Sequence, residues 1–169
     1  LRQTVQALDP DIIVVTFGGN DAQCLADAAG NFASEYNDPI SDEEAWIAEY
    51  SRRAGDVMDF LSEDGRKVIW VGIPNAQDET VTARMKVQDT AAKAAASTRP
   101  DIVFVDTWRR FSGRSGNWAE FVVDPRDGVG KDVRSDEDGF HLNQNGAEIL
   151  ALDIANVVRA HLVEMGAQL

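Results

Sequence analysis

Three short apolar runs, separated by segments with helical periodicity, constrain the fold of this chain more than any other feature. They cover residues 11–17, 67–73 and 101–106 and are rich in β-branched and aromatic side chains. A continuous apolar run without polar alternation is typical of a strand that is covered on both faces. Since a helical segment separates each run from the next, the strands should be parallel. The sequence therefore predicts an α/β fold, with a parallel sheet between two layers of helices, in one domain over residues 1–169.

Helical periodicity fills the segments around these strands. The spacing of apolar residues predicts helices over residues 1–8, 41–65, 80–97 and 143–166. Ser41-Asp42-Glu43-Glu44 has the spacing of a capping box, which would begin the second helix. Gly65 and Gly166 are the expected C-terminal caps, and Asn143 marks the start of the last helix.

Two long loops complete the predicted fold. Residues 22–40 are polar, and a loop of that length often forms the wall or lid of a site. The alternative is a plain solvated excursion, and the residues favour neither interpretation. Residues 107–137 are rich in glycine, proline and charged side chains, with a short hairpin predicted near residues 118–123.

Composition excludes some classes of function. The net charge of −13 argues against a nucleic-acid partner, because phosphate binding needs a basic surface. No run is as long as a membrane span. The single cysteine, Cys24, excludes an internal disulfide, and two distant histidines without a C-x-x-C pair form no recognisable metal site. We therefore predict no metal and no cofactor.

The sheet predicted from these runs is small and has an unprotected edge. Three parallel strands would leave one apolar edge unpaired, which natural proteins rarely tolerate. The chain also begins at Leu1 within a helical pattern. These features favour a further strand–helix–strand segment before residue 1, or a second fragment, that completes the sheet.

The first candidate site follows the first strand. Gly18 and Gly19 let the backbone turn at the carboxyl end of the strand, where open α/β sheets bind ligands. The glycines would let a substrate approach the backbone, and Asn20 and Asp21 would present an amide and a carboxylate to it. An amide at this point can donate a hydrogen bond to a developing oxyanion. The alternative is an ordinary turn, since glycine, asparagine and aspartate are common turn residues.

The second candidate site precedes the last helix. Asp138 lies three residues before His141, so its carboxylate can reach back and orient the imidazole. Such a pair fixes the tautomer of a histidine that acts as a general base. The alternative is a loop histidine with a coincidental neighbour. His161, near the end of the last helix, is interpreted as structural.

Together, the two motifs resemble those of the SGNH (GDSL-like) hydrolase family. Gly18-x-Asn20-Asp21 is similar to the third block of that family, and Asp138-x-x-His141 to its fifth block. Further similarity lies in residues 68–74, 105–108 and 44–50, the last with Trp46 and Tyr50 as in a bacterial branch of the family. The resemblance covers residues 1–165.

This resemblance implies a three-layer, flavodoxin-like α/β/α fold and an acyl esterase. Asn20 would be an oxyanion-hole donor, His141 the general base and Asp138 the residue that orients it. The implied substrate is a small acyl ester or an acylated glycan of the cell envelope, and the family favours an exported protein. An O-acyltransferase with the same triad is an alternative. Another is an inactive module that binds a glycan or a protein.

The chain departs from the family at the nucleophile. The family serine belongs to a Gly-Asp-Ser block ahead of the Gly-x-Asn-Asp block, and this sequence has no such block. The serines at positions 41, 51, 62, 112 and 115 lie in predicted caps, helices or loops and are poor substitutes. Cys24 is a weak candidate, because a lone cysteine is more often a small core or loop residue. The resemblance therefore implies a nucleophile outside this chain.

Overall fold

The fold alternates strands and helices along the chain, as the apolar runs predict. The computed structural model describes residues 1–27, 29–31 and 38–168. Its helices are α1 (Arg2–Leu8), α2 (Glu43–Leu61), α3 (Glu79–Ser97), α4 (Thr107–Arg110) and α5 (Gln144–Glu164). Its strands are β1 (Ile12–Thr16), β2 (Lys67–Val71), β3 (Ile102–Val105), β4 (Phe121–Val123) and β5 (Gly130–Asp132).

The first three strands form one parallel sheet in the order β1-β2-β3. In its register, Val14 lies opposite Ile69 and Trp70 opposite Phe104. The parallel α/β character predicted from the sequence is therefore confirmed. β4 and β5 form a separate antiparallel hairpin.

Strand β2 lies at the centre of the sheet and is buried on both faces. Val68 and Trp70 pack into the core formed with α2 and α3. Ile69 and Val71, on the opposite face, pack against apolar residues of α5. This alternation follows from the two-residue period of a strand. It places α2 and α3 in one helical layer and α5 in the other.

Strand β1 is less covered than its sequence predicts. Val14 is 45% exposed and Phe17, just after the strand, is 40% exposed. The prediction that this run is buried on both faces is therefore wrong. The reason is positional, since β1 is an edge strand and α5 packs mainly against β2 and β3. Within the described ranges, no further strand pairs with its outer edge.

The capping box predicted for α2 is also wrong. The N-cap is Asp42, and its side chain makes no capping hydrogen bond. Instead, its Oδ2 accepts hydrogen bonds from the backbone N–H of Asp38 (3.1 Å) and the hydroxyl of Ser41 (3.2 Å). Because the Asp42 carboxylate is bonded to the preceding turn, it does not cap the helix. The first residues of the helix, Glu43 and Glu44, are acidic and interact favourably with the helix dipole.

The ends of the other helices agree better with the sequence. Asn143 caps α5 by accepting a hydrogen bond from the N–H of Gly146. Gly166 follows α5 with a φ of 91°, and its N–H donates to Val163 O while that of Ala167 donates to Leu162 O. These bonds form a Schellman motif, so the predicted end of α5 is confirmed. Gly65 instead closes a short 3₁₀ turn after α2, whose C-cap is Ser62.

The loop predictions have mixed outcomes. The hairpin expected near residues 118–123 is β4 and β5, so it begins later and reaches Asp132. Trp118 pairs instead with Ser112 in an isolated bridge. The lid interpretation of residues 22–40 falls partly on residues 28 and 32–37, which lie outside the described residues.

His161 is buried within the C-terminal part of α5, and its Nδ1 lies 3.2 Å from Glu164 Oε2.

No helix in the described ranges combines the length and the apolarity needed to cross a bilayer.

Candidate functional site

The turn after β1 depends on glycine at position 18. The φ of Gly18 is 142°, a conformation that residues with a side chain rarely adopt. A Cβ there would lie 2.6 Å from Gln88 Nε2 and 2.9 Å from Ile73 Cγ2. Gly18 therefore lets the chain turn while α3 packs directly against it.

This turn leaves the side chain of Asn20 free for a ligand. The backbone N–H of Asn20 donates to Gly18 O at 2.9 Å, and Gln23 Nε2 donates to Asn20 O at 2.6 Å. These bonds hold the backbone on both sides of the residue. In the described part of the chain, no hydrogen bond involves the side-chain amide of Asn20, which can therefore donate to a bound group.

Asp138 and His141 form a tight turn before α5. Asp138 Oδ1 accepts the backbone N–H groups of Phe140 and His141, both at 2.9 Å. Its Oδ2 lies 2.5 Å from His141 Nδ1. The hydrogen bond from the imidazole and the two backbone bonds lower the pKa of Asp138 to about 2. Asp138 is therefore a fixed, ionised acceptor.

The hydrogen bond to Asp138 sets the tautomer of His141. A carboxylate only accepts hydrogen bonds, so Nδ1 carries the hydrogen and Nε2 of the neutral ring is an acceptor. The side chain of His141 is 72% exposed. Its ring meets that of Phe140 edge-on, with centroids 5.1 Å apart. The imidazole can therefore take a proton from a group outside the turn.

One cleft of about 770 Å³ brings the two motifs together. Gly18, Gly19, Asn20 and His141 all border it. Asp138 is not part of its wall and acts only through His141. The remaining wall is mostly apolar and includes Val14, Ile73, Val81, Met85, Leu150 and Ile154.

Asp21 lies outside this cleft. It borders a second cavity of about 530 Å³, which is lined mainly by apolar residues and by Cys24 and Tyr50. There the carboxylate of Asp21 accepts a hydrogen bond from the hydroxyl of Tyr50 at 3.1 Å. Asn20 borders both cavities, so the loop that carries it separates them.

A comparison with protein families assigns most of the chain to one family. Residues 1–157 match the model of a family described as "Protein of unknown function (DUF459)". The chain belongs to the DUF459 family. No curated protein matches it. Membership alone assigns no activity to this DUF459 chain.

None of the serines that the structure describes borders the cleft with His141. In this DUF459 chain Ser51 donates to Ala91 O, Ser62 to Met58 O and Ser112 to Trp108 O, so all three hydroxyls serve the backbone. Cys24 is exposed but lies in the cavity on the other side of Asn20. Among the described residues, no three His, Cys, Asp or Glu side chains are grouped in a way that could hold a metal ion.

Sequence reasoning missed Arg134, which supports the His141 turn. Its guanidinium is buried and donates to five oxygen atoms of four residues. The acceptors are Asn75 O and Oδ1, Phe111 O, Ala119 O and Phe140 O, at 2.7–3.3 Å. None is a carboxylate, and burial lowers the pKa of Arg134 to about 10. No local motif marks this role, because the acceptors are far apart in sequence and mostly backbone carbonyls.

Proposed function

We propose that this protein hydrolyses acyl esters by the mechanism of SGNH hydrolases, on a flavodoxin-like α/β/α fold. The observation that carries the proposal is that Asn20 and His141 border one cleft, with His141 held by Asp138. Each motif alone has an ordinary structural explanation, but a hydrogen-bond donor and an oriented imidazole that border the same cleft are suited to acyl transfer.

In the proposed acylation step, a serine hydroxyl attacks the carbonyl carbon of the ester. His141 Nε2 takes the hydroxyl proton as the new C–O bond forms. Asp138 holds Nδ1 and stabilises the imidazolium. The amide of Asn20 donates to the oxyanion of the tetrahedral intermediate, which collapses when the alcohol leaves with the proton from His141.

Deacylation repeats this sequence with water. His141 removes a proton from a water molecule that attacks the acyl-enzyme. The second tetrahedral intermediate again places its oxyanion against Asn20. Its collapse returns the proton to the serine and releases the carboxylic acid, so the protein is regenerated and no cofactor is consumed.

The proposal takes the nucleophile from a Gly-Asp-Ser block outside the 169 residues. This follows the SGNH resemblance, and it accords with the absence of a described serine from the cleft wall. We propose a small acyl ester or an acylated glycan as the substrate, which the resemblance implies. The mostly apolar wall of the cleft suits the acyl group of such a substrate.

Mutation of the two cleft residues tests the proposal in a protein that includes the serine block. His141→Ala should abolish labelling by a fluorophosphonate and hydrolysis of p-nitrophenyl acetate, because no base remains to activate the serine. Asn20→Ala should lower kcat on the order of 10²–10³-fold, as expected for loss of one oxyanion donor. His161→Gln is the matched control, since it removes the other imidazole of the chain, which lies outside the cleft.

The 169-residue chain alone should neither hydrolyse the ester nor react with the fluorophosphonate. Labelling of any serine within residues 1–169 would contradict the proposed source of the nucleophile. Undiminished turnover in the His141→Ala variant would reject the proposed function itself.

A further inference from the structure

We propose that Tyr50 and Gln88 are positioning residues for Asn20, acting through Asp21 and Gly18 on either side of it. This inference rests on the proposed function for its consequence in catalysis. Its structural part, that these buried side chains fix the Asn20 loop, can be tested without any activity.

A continuous line of hydrogen bonds joins the two helices of one layer to the loop. Gln88, on α3, donates from Nε2 to the hydroxyl of Tyr50 at 2.7 Å. Tyr50, on α2, donates to Asp21 Oδ2 at 3.1 Å. Gln88 is 1% and Tyr50 7% exposed, so this line runs from the core to the residue next to Asn20.

The direction of each hydrogen bond is fixed by the chemistry of its partners. The carboxylate of Asp21 can only accept, so the hydroxyl of Tyr50 must donate to it. That hydroxyl then accepts from the amide of Gln88, which orients the amide as well. Burial and the nearby charge of Asp21 raise the pKa of Tyr50 above its usual value, which keeps this donor protonated.

Gln88 also contacts the other side of the Asn20 loop. Its side-chain nitrogen lies 2.6 Å from the position that a Cβ of residue 18 would occupy. One buried amide therefore packs against Gly18 and, through Tyr50, holds Asp21. Asn20 lies between these two points in the chain, so the position of its backbone depends on both.

A second contact from α2 reinforces the same loop. The indole of Trp46 donates from Nε1 to Gln23 O at 2.9 Å, and the side chain of Gln23 donates to Asn20 O. The rings of Trp46 and Tyr50 stack with centroids 4.7 Å apart. This stacked pair presents two donors to the loop, at residues 21 and 23.

Tyr50→Phe is the sharpest test, because it removes the hydroxyl and keeps the stacked ring. In the 169-residue chain, the ¹H–¹⁵N signals of the Asn20 side-chain amide should shift or broaden in this variant. Asp21→Ala should change the same signals. This second variant keeps the inference falsifiable if Tyr50→Phe does not fold, since Asp21 is exposed.

Ser51→Ala is the matched control. Ser51 is the next residue of α2 and donates to Ala91 O of α3 at 3.0 Å, so it also joins the two helices. Within the described residues it forms no hydrogen bond with the Asn20 loop, so the Asn20 signals should not change. Equal changes in this control, or unchanged Asn20 signals in both test variants, would overturn the inference.

Kinetics of the protein with the serine block separate positioning from a general structural effect. Tyr50→Phe should lower kcat on the order of 10-fold with little change in KM, which is less than the loss expected on removing the donor itself. The effect should vanish in an Asn20→Ala background, because Tyr50 acts through Asn20. Additive losses would contradict this part.

If Asn20→Ala itself has no effect on turnover, the proposed function fails, and the NMR result still decides the structural part.

Discussion

At the scale of single residues, Asp138 is the most strongly constrained side chain of the candidate site. Its two oxygens accept from two backbone N–H groups and from His141, although the side chain is 40% exposed. A carboxylate held in this way is oriented by the chain itself rather than by burial. The Asp138–His141 turn is therefore formed before any substrate binds.

We expect the pKa of Asp138 to be about 2, below the ordinary value of 3.8. Since the folded state lowers this pKa, the ionised carboxylate stabilises the fold above about pH 3.8, and the contribution is lost as the pH falls towards 2. The His141→Ala variant should raise the Asp138 pKa, because the imidazole is the largest cause of the shift. A ¹³C titration of the side-chain carboxyl groups measures both values.

Asp127 is the internal control for this titration. Its pKa is also lowered, but by Val129 N–H and by Lys131 rather than by His141. It should titrate identically in both proteins. An Asp138 pKa that stays the same without the imidazole would show that the pair is not formed in solution.

At the scale of elements, Arg134 joins four segments that are distant in sequence. Its acceptors lie after β2, at the end of α4, before β4 and in the His141 turn. All five N–H groups of the guanidinium have acceptors, so the residue acts as a hydrogen-bonded hub for otherwise irregular chain. The ion pairs of the described residues do not include Arg134, so removing it disturbs hydrogen bonds rather than charge pairs.

Replacing Arg134 by methionine should lower the free energy of unfolding by about 3 kcal/mol, because several buried oxygens lose a charged donor. Lysine should not restore stability, since it offers three donors without the planar geometry of the guanidinium. Urea denaturation of the wild type and the two variants measures the difference.

Arg52→Met is the matched control for Arg134→Met. Arg52 pairs with Glu49 and Asp56 on the surface of α2, and its side chain is 57% exposed. Its loss should change the free energy of unfolding by less than about 1 kcal/mol. A similar loss of stability in both variants would contradict a special role for the buried residue.

The positions of the helices and strands were largely predictable from local sequence, but the contacts between them were not. Apolar runs and helical spacing depend on neighbouring residues, so they locate β2 and α3 well. The capping box failed because the carboxylate of Asp42 bonds to the turn that precedes it. The exposure of Val14 and the role of Arg134 depend on which distant segments pack together, and no local pattern encodes that information.

At the scale of the whole molecule, one buried carboxyl group opposes the stability of the fold at neutral pH. Asp89 on α3 is 7% exposed, and its Oδ1 has no hydrogen-bond partner among the described residues. Burial raises its pKa to about 6, and Asp106 adds to the effect while Lys93 opposes it. The folded state therefore binds this proton more tightly than the unfolded state does.

The stability contributed by the protonated Asp89 is fully present below about pH 3.8 and is lost as the pH rises through 6. Asp89→Asn should remove this cost and raise the free energy of unfolding by about 2 kcal/mol at about pH 7.5. The substitution should have little effect at about pH 3.5, which is close to the pKa of aspartate in the unfolded state. Urea denaturation across this pH range measures the difference.

Asp59→Asn is the contrasting control for this pH dependence. The guanidinium of Arg99 lowers the pKa of Asp59, so the ionised form of this carboxylate favours the folded state. Its replacement should not stabilise the protein at neutral pH. A stabilisation by Asp59→Asn as large as that by Asp89→Asn would point to a general reduction of the net charge instead.

The two motifs that border the cleft come from distant parts of the chain, with Asn20 after β1 and His141 before α5. Contacts between segments so distant in sequence form slowly, since a long loop must close before they contribute any stability. The helices α2 and α3 pack through more local contacts and do not require them. During folding, we therefore expect the cleft to be completed late, after most helical structure has formed. Formation of the cleft therefore reports on complete folding, whereas recovery of the helical signal alone does not.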